Sequence, residues 1–466
     1  MRAAVVLLVA LAVAGCLGAE PSTRTPPAHP SPLAPVLGEP IVQDHDHTDP
    51  ALHNASWNLR LVSHVKPWGD GSEYGNGTVN EFAVNGNLVF VSRSNPEGGF
   101  AVVDLTDVRH PAVIGDFRSE GGGDVEVTSD GAFALLSTQR TLPGQQTTDN
   151  PTARAPRGVY VVDVQDPTHP TLASFLPLPV NGPHTMHYHR VSPTLELVTL
   201  ATYDLVTNPL TGTIDAALPP TQRVYIDKLV RDGTGARLEP LGLYSVIAPP
   251  DPSKLVFPHD VFIETHPETG ALLMYVAYWD AGLKIVDITD PTMPREVATV
   301  TDFAPSALVA LHDARTFPAP IQGKHVTVVG PEIVTAPEAG QLTFLDTTDP
   351  ASPEKLGWWS IPGNLTVDTP FIFSPHVFDT DASGRVVVGH YHGGVWLIDA
   401  HDPANATSIG FYQPHEERAG EWGARPSVWG ARFFRGYILA TDGPTGLYVL
   451  ETDAGPLPGL PVGRAG

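Results

Sequence analysis

Leu283-Lys284-Ile285-Val286-Asp287-Ile288-Thr289-Asp290-Pro291 decides the fold, because the chain repeats it. Near copies are Phe100-Ala101-Val102-Val103-Asp104-Leu105-Thr106-Asp107, Val159-Tyr160-Val161-Val162-Asp163-Val164-Gln165-Asp166-Pro167, Leu342-Thr343-Phe344-Leu345-Asp346-Thr347-Thr348-Asp349-Pro350 and Val395-Trp396-Leu397-Ile398-Asp399-Ala400-His401-Asp402-Pro403. Two weaker copies are Val224-Tyr225-Ile226-Asp227 and Leu447-Tyr448-Val449-Leu450-Glu451. The acidic marker therefore recurs at 104, 163, 227, 287, 346, 399 and 451. A repeat of this length is one supersecondary unit stacked many times.

Each copy has a physical reading. A short apolar, β-branched run is a strand buried on both faces. The Asp that ends it can accept hydrogen bonds from the N–H groups of its own turn. The Pro fixes φ and stops ladder pairing. Another apolar strand follows, as in Pro111-Ala112-Val113-Ile114-Gly115 or Arg295-Glu296-Val297-Ala298-Thr299, and two more precede each marker, such as 78–84 and 87–92. Four strands per repeat make a propeller blade. Seven markers predict an all-β chain forming a single seven-bladed β-propeller over residues 57–458. Blade seven lacks a convincing fourth strand, and Trp57-Asn58-Leu59-Arg60-Leu61-Val62-Ser63 has no blade of its own. That N-terminal strand is expected to complete blade seven and leave no open edge at the seam.

The motif resembles the LVIVD repeat of exported, propeller-like bacterial and archaeal proteins, with Tyr278-Trp279-Asp280-Ala281-Gly282-Leu283-Lys284-Ile285-Val286-Asp287 the best match in this chain. The resemblance implies the fold but no single activity, since propellers host many.

The N-terminal residues point to the compartment. Arg2 precedes an apolar run, Ala3 to Ala14, too short for the roughly 20 residues of a bilayer span and typical of an export signal. Val13-Ala14-Gly15-Cys16 resembles a lipobox, which implies cleavage after residue 15 and lipidation of Cys16. The expected location is extracytoplasmic, anchored to the outer face of the cell membrane. Cys16 is the sole cysteine, so no internal disulfide can form. Residues 16–56, rich in Pro, Ser, Thr and Ala, read as a flexible tether, and 459–466 as a tail. The formal charge is −24, from 51 acidic and 27 basic residues, which excludes a nucleic-acid footprint. Asn54, Asn76, Asn364 and Asn405 lie in N-x-Ser/Thr sequons, usable only in a host that glycosylates exported proteins.

The 19 histidines are placed rather than scattered. Gly182-Pro183-His184, Phe257-Pro258-His259, Leu311-His312 and Ser374-Pro375-His376 open the first strands of blades three to six. In a propeller the first strands line the central channel, so these positions should meet around the axis. Counting 23 residues back from the marker reaches His376 in blade six and Glu81 in blade one; blade two offers Asp124 or Glu126. Converging neutral imidazoles suit zinc, copper, iron or nickel. A divalent transition metal held by His184, His259, His312 and His376 is therefore expected. Asp260, Asp313, Glu81, Glu126 and His187 are candidates for further ligands or for partners that fix the tautomers. The pattern is similar to carotenoid-cleaving oxygenases, propellers whose four first-strand histidines hold a non-haem iron, and to the selenium-binding-protein and methanethiol-oxidase group; no extended motif of either is present.

Two further clusters stand apart. Asp44-His45-Asp46-His47 could add ligands or a lid, or be a solvated acidic linker. His390-Tyr391-His392-Gly393-Gly394 corresponds to Tyr278-Trp279-Asp280-Ala281-Gly282 and reads as a structural turn. There is no nucleophilic Cys, Gly-x-Ser-x-Gly, phosphate loop or dinucleotide fingerprint. Three functions stay open: a metal-dependent surface protein with redox or oxygenase-like chemistry on a small molecule, a non-catalytic scaffold for a protein or glycan, and a metal-binding or delivery lipoprotein. Whether the chain is an enzyme, and which residues would be catalytic, is undetermined at this level.

Overall fold

The computed structural model describes residues 56–67, 79–93, 98–139, 157–178, 182–203, 205–207, 214–216, 222–233, 235–246, 254–303, 309–332, 340–361, 373–414 and 426–454. The segment read as an export signal, Cys16, His45, His47, most of the segment read as a tether and the segment read as a tail lie outside them. No helix among the described residues is long and apolar enough to cross a membrane.

Seven antiparallel sheets of four main strands are the blades of a β-propeller, one of them extended by a short fifth strand, and Leu205–Thr207 with Ile214–Ala216 forms a separate two-stranded sheet. Blade one is Val79–Asn85, Leu88–Arg93, Gly98–Asp104 and Ala112–Ser119. Blade two is Val125–Val127, Phe133–Thr138, Gly158–Asp163 and Thr171–Pro177; blade three is Thr185–Ser192, Leu195–Thr202, Arg223–Asp232 and Gly235–Tyr244. Blade four is Asp260–Thr265, Leu272–Ala277, Leu283–Asp287 and Arg295–Val300; blade five is Leu311–Thr316, Val326–Pro331, Gln341–Asp346 and Glu354–Ser360. Blade six is Phe378–Thr380, Arg385–Gly389, Val395–Asp399 and Thr407–Tyr412; blade seven is Val428–Phe434, Tyr437–Asp442, Gly446–Thr452 and Leu59–Val65. Two compact units are distinguished. One contains residues 67–314 and 349–353, with blades one to four; the other contains 315–348 and 354–454, with blades six and seven and the strand Leu59–Val65.

The markers are third strands, and their burial explains their composition. Gly98–Val103 and Gly158–Val162 are buried throughout, because each middle strand has apolar neighbours on both faces. In the first unit Phe90, Phe100, Val102, Leu136 and Tyr160 share one apolar layer; Leu135, Val161, Val198 and Leu229 share the next. In the second unit Leu59 packs with Val387, Leu397, Tyr448 and Leu450.

The turns behave as their chemistry requires. Asp104 Oδ1 accepts the amide of Thr106 at 2.8 Å, and Asp287 Oδ1 that of Thr289 at 3.0 Å. The second Asp does the same: Thr168 N donates to Asp166 Oδ1 at 3.0 Å, and Thr292 N to Asp290 Oδ1 at 3.0 Å. Blade three departs from expectation. Its third strand runs past Asp227 to Asp232 and returns as a long hairpin, so Asp227 forms no turn and lies within the strand, 1% exposed.

The N-terminal strand is also divided differently from the expectation of one continuous element. Ser56–Trp57 pairs with Phe411 and Tyr412 at the edge of blade six. Asn58, at φ 53°, breaks the chain direction, and only Leu59–Val65 completes blade seven beside Gly446–Thr452. Asn58 Nδ2 donates to Ile409 O at 2.9 Å, while its carbonyl accepts Asp453 N at 3.1 Å. One residue thus ties two blades.

Each fourth strand carries a β-bulge at the same step, seen in all seven blades. Bulges twist an edge away from further pairing. The extra residue is apolar (Ile114, Ala173, Leu241, Val297, Leu356, Ile409, Val62) and the next is small (Gly115, Ser174, Gly242, Ala298, Gly357, Gly410, Ser63). In blades one, three and five the small residue receives the following blade's Asp-Pro turn. A Cβ on Gly115 would lie 2.2 Å from Pro167 O, on Gly242 1.9 Å from Pro291 O, and on Gly357 2.2 Å from Pro403 O. Ser174 faces the blade-three hairpin instead and donates to Ala236 O at 2.7 Å. Overpacking typically costs 1–3 kcal/mol, so Gly242→Ala should destabilise by about 3 kcal/mol. A thermal melt in which Gly242→Ala unfolds with the wild type would contradict this packing.

Candidate metal centre

The strand ends differ in the length of their connections. Hairpins joining first to second strands turn in as few as two residues, as at Gly86-Asn87. The opposite ends carry long connections, such as residues 139–157 and 245–259. Loops of variable length on a rigid scaffold are where binding residues concentrate. The predicted histidines lie at this end. The amide of His184 donates to Ala201 O, that of His259 to Ala277 O and that of His376 to Gly389 O, each at 2.8 Å. The three Pro-His dipeptides therefore hold the same register against their second strands.

In the first unit three of these side chains come together. His184 Nε2 and His259 Nε2 are 3.0 Å apart, with ring centroids at 4.3 Å. The His259 and His312 centroids are 4.2 Å apart. His259 and His312 are each 1% exposed. His184 keeps some accessible surface, yet is enclosed enough that desolvation pushes its imidazole down to about 4. Its Nδ1 is 3.1 Å from Gln139 Oε1; donation there, with the amide oriented as it is, leaves Nε2 as the basic nitrogen. Burial thus holds the His184 imidazole neutral beside two further buried imidazoles.

Aromatic rings wall this row. Tyr203, Phe257 and Trp279 are 6%, 2% and 2% exposed and form one cluster with Ala310. Tyr203 lies 5.0 Å from His184, and Trp279 5.3 Å from His259. A dry wall of this kind raises the electrostatic cost of protonating His184.

The predicted carboxylates occupy the next positions along the first strands. Asp124, rather than Glu126, is the buried member in blade two, and its Oδ2 accepts Met186 N at 2.6 Å. Burial, and then the charges of Glu126, Glu81 and Asp260, raise its carboxyl well above the usual range. Glu126 Oε1 lies 3.5 Å from His187 Nδ1. Asp260 Oδ1 accepts Val261 N at 2.6 Å and Asp313 Oδ1 accepts Ala314 N at 2.7 Å.

In the second unit His376 Nδ1 donates to Trp429 O at 2.7 Å, and its ring lies 5.0 Å from Tyr391. Tyr391 Oη donates to Glu332, a residue 3% exposed whose carboxyl burial pushes up to about 7. No motif marks Glu332 in the sequence; it follows the strand Val326–Pro331 and is polar only at its tip. The His390–Gly394 segment is a turn matching Tyr278–Gly282: His390 N donates to Gly394 O at 2.8 Å and Tyr278 N to Gly282 O at 2.9 Å.

Residues 273–302 match the family model described as LVIVD repeat. They span the second to fourth strands of blade four. None of the curated proteins matches the chain. Among solved structures, the crystal structure of Saccharomyces cerevisiae Sqt1 is similar at 15% identity, covering 83% of this chain and 83% of that chain, with a TM-score of 0.47.

Proposed function

We propose that this chain, which fits the LVIVD-repeat propellers in both repeat and fold, binds a divalent transition metal through His184, His259 and His312. The observation that carries the reading is the 3.0 Å separation of two Nε2 atoms beside a third imidazole in a buried row. Ligands at ~2.1 Å from one ion and about 90° apart would be separated by ~3 Å. Neutral imidazoles suit zinc, copper, iron or nickel. The His184 amide ties to the second strand and its Nδ1 to Gln139, which orients the ring without a charge. With Val13-Ala14-Gly15-Cys16, the reading becomes a lipid-anchored, extracytoplasmic metal protein. Redox or oxygenase-like chemistry on a small molecule is the use we assign to such a centre, with the aromatic wall of Tyr203, Phe257 and Trp279 as its apolar side.

Metal analysis of the purified protein tests the centre: one equivalent per chain is expected. A folded, metal-free protein that cannot be loaded with zinc, copper or iron leaves the scaffold function for a protein or glycan. The anchor is tested separately. Cys16→Ser should move the protein from the membrane fraction to the soluble one, and a variant that stays membrane-bound rules the anchor out.

A further inference from the structure

Among the described residues six non-glycines adopt left-handed backbone: Asn58, Trp279, Ala310, Gln322, Tyr391 and Arg435. Gln322 and Arg435 precede glycines in tight hairpins, and Asn58 sits where the N-terminal strand divides. Trp279, Ala310 and Tyr391 remain. A left-handed bulky residue costs free energy that glycine would not, so its retention needs a compensating role.

Trp279 occupies the turn that follows the second strand of blade four, at φ 38°. Its carbonyl accepts the amide of Leu311 at 3.2 Å, an isolated antiparallel bridge to the first strand of blade five. Leu311 is the residue before His312. The Trp279 indole stacks on Phe257 at 4.9 Å and 22°, and on His259 at 5.3 Å and 28°. Its backbone thus holds the strand that bears His312, and its ring holds His259. In the second unit Tyr391, at φ 43° in the matching turn, exchanges hydrogen bonds of 3.0 and 3.1 Å with Val428 of blade seven and sets its ring edge-on to His376 at 5.0 Å. The same device appears twice, each time with an aromatic residue where glycine would be unstrained.

We infer that the left-handed aromatic residue of this turn is a latch that positions the first-strand histidine of its own blade against the next blade, Trp279 serving His259 and Tyr391 serving His376. The left-handed conformation is needed because it turns the side chain back over its own first strand while the carbonyl points to the neighbouring one. Ala310, left-handed at φ 35° and 7% exposed, lets the following strand meet that carbonyl. Trp279 is a positioning residue in this assignment, which rests on the metal-centre reading for its consequence but not for its geometry.

The test uses the full chain, stripped of metal, with Cu2+ as the probe. Trp279→Gly should bind Cu2+ at least tenfold more weakly in competition with a chelator and show an altered electron paramagnetic resonance spectrum. Trp279→Phe, which keeps a stacking face, should restore both. Should the glycine variant fail to fold, Trp279→Leu, which fills the space without an aromatic face, carries the same expected loss. Wild-type affinity and spectrum in Trp279→Gly or Trp279→Leu overturn the latch. The metal-free proteins give a second readout. The ring N–H shared by His184 and His259 should exchange slowly in the wild type and Trp279→Phe, and fast in the Gly or Leu variant. Slow exchange in all of them overturns the latch as well. A wild type that binds no Cu2+ refutes the metal centre, while the ring N–H still decides the role of Trp279.

Discussion

Replacing His259 with alanine is expected to abolish stoichiometric metal binding while leaving the propeller folded. His259 is the middle imidazole of the row, within 3.0 Å of His184 Nε2 and with His312 on its other side. Loss of even an outer-sphere partner typically costs 10–100-fold in metal affinity; loss of the central ligand should cost more than ~100-fold. The side chain is buried among Phe257, Trp279 and Tyr203, so the variant also leaves a cavity and should lose about 2 kcal/mol of stability. His266→Ala is the control. His266 is also fully buried in blade four, but its Nδ1 accepts the amide of Thr269 within the hairpin. It should lose stability and keep its metal. Elemental analysis and calorimetric titration measure both. Full metal occupancy in His259→Ala would remove the row from consideration. The pH dependence has a definite sign. Burial holds the folded His184 imidazole near 4, below the ordinary 6.5, so it stays in its ligating neutral form until the pH falls toward 4. His184 should therefore still be available as a ligand at about pH 5.5, where an exposed histidine would be largely protonated.

The largest gain in stability is expected from Asp227→Val. Both carboxylate oxygens of Asp227 are buried without a hydrogen-bond partner among the described residues. The neighbouring Leu229, Val198 and Leu238 are apolar and buried. Burial alone raises the carboxyl from 3.8 to about 7. Because the folded value is the higher one, the wild type has its full stability below pH 4 and loses it as the pH rises through 7. A rise of that size corresponds to about 4 kcal/mol at alkaline pH. Val, β-branched and uncharged, suits the strand and removes the linkage. The variant should unfold at higher temperature at pH 8, with the advantage shrinking toward pH 4. A melting difference that does not change between pH 5 and pH 8 would show that the carboxylate is solvated.

Asp227 also illustrates what a repeat can conceal. Its four-residue run looks like the other third strands, but Val230 and Arg231 stand where the other copies place the second Asp and the Pro. With neither the second Asp nor the Pro to form the turn, strand pairing continued to Asp232, and the marker became a buried carboxyl. The second signature of the repeat, an apolar bulge residue followed by Gly, Ser or Ala, was present in every fourth strand. It is invisible as a pattern until the bulge aligns the strands, and at Gly115, Gly242 and Gly357 its cause is a proline carbonyl from the next blade. Asn58 is a third case. Its left-handed backbone divides an apparently continuous strand between two sheets, and nothing in its immediate neighbours requires that.

What the sequence determined by itself was the local, periodic part: the apolar runs that make third strands, the Asp-x-x-Asp-Pro turns that end them, the blade number, and the common register of the Pro-His dipeptides. These follow from side-chain period, turn chemistry and spacing, all of which act within a few residues. Tertiary structure alone decided which groups meet. It brought His184, His259 and His312 into one row, put Asp124 rather than Glu126 in the buried carboxylate position, buried Glu332 against Tyr391, and set Trp279 over His259. Those pairings join residues far apart in the chain, and they depend on where each strand's bulges and strained turns aim a side chain, which no local property of the sequence encodes.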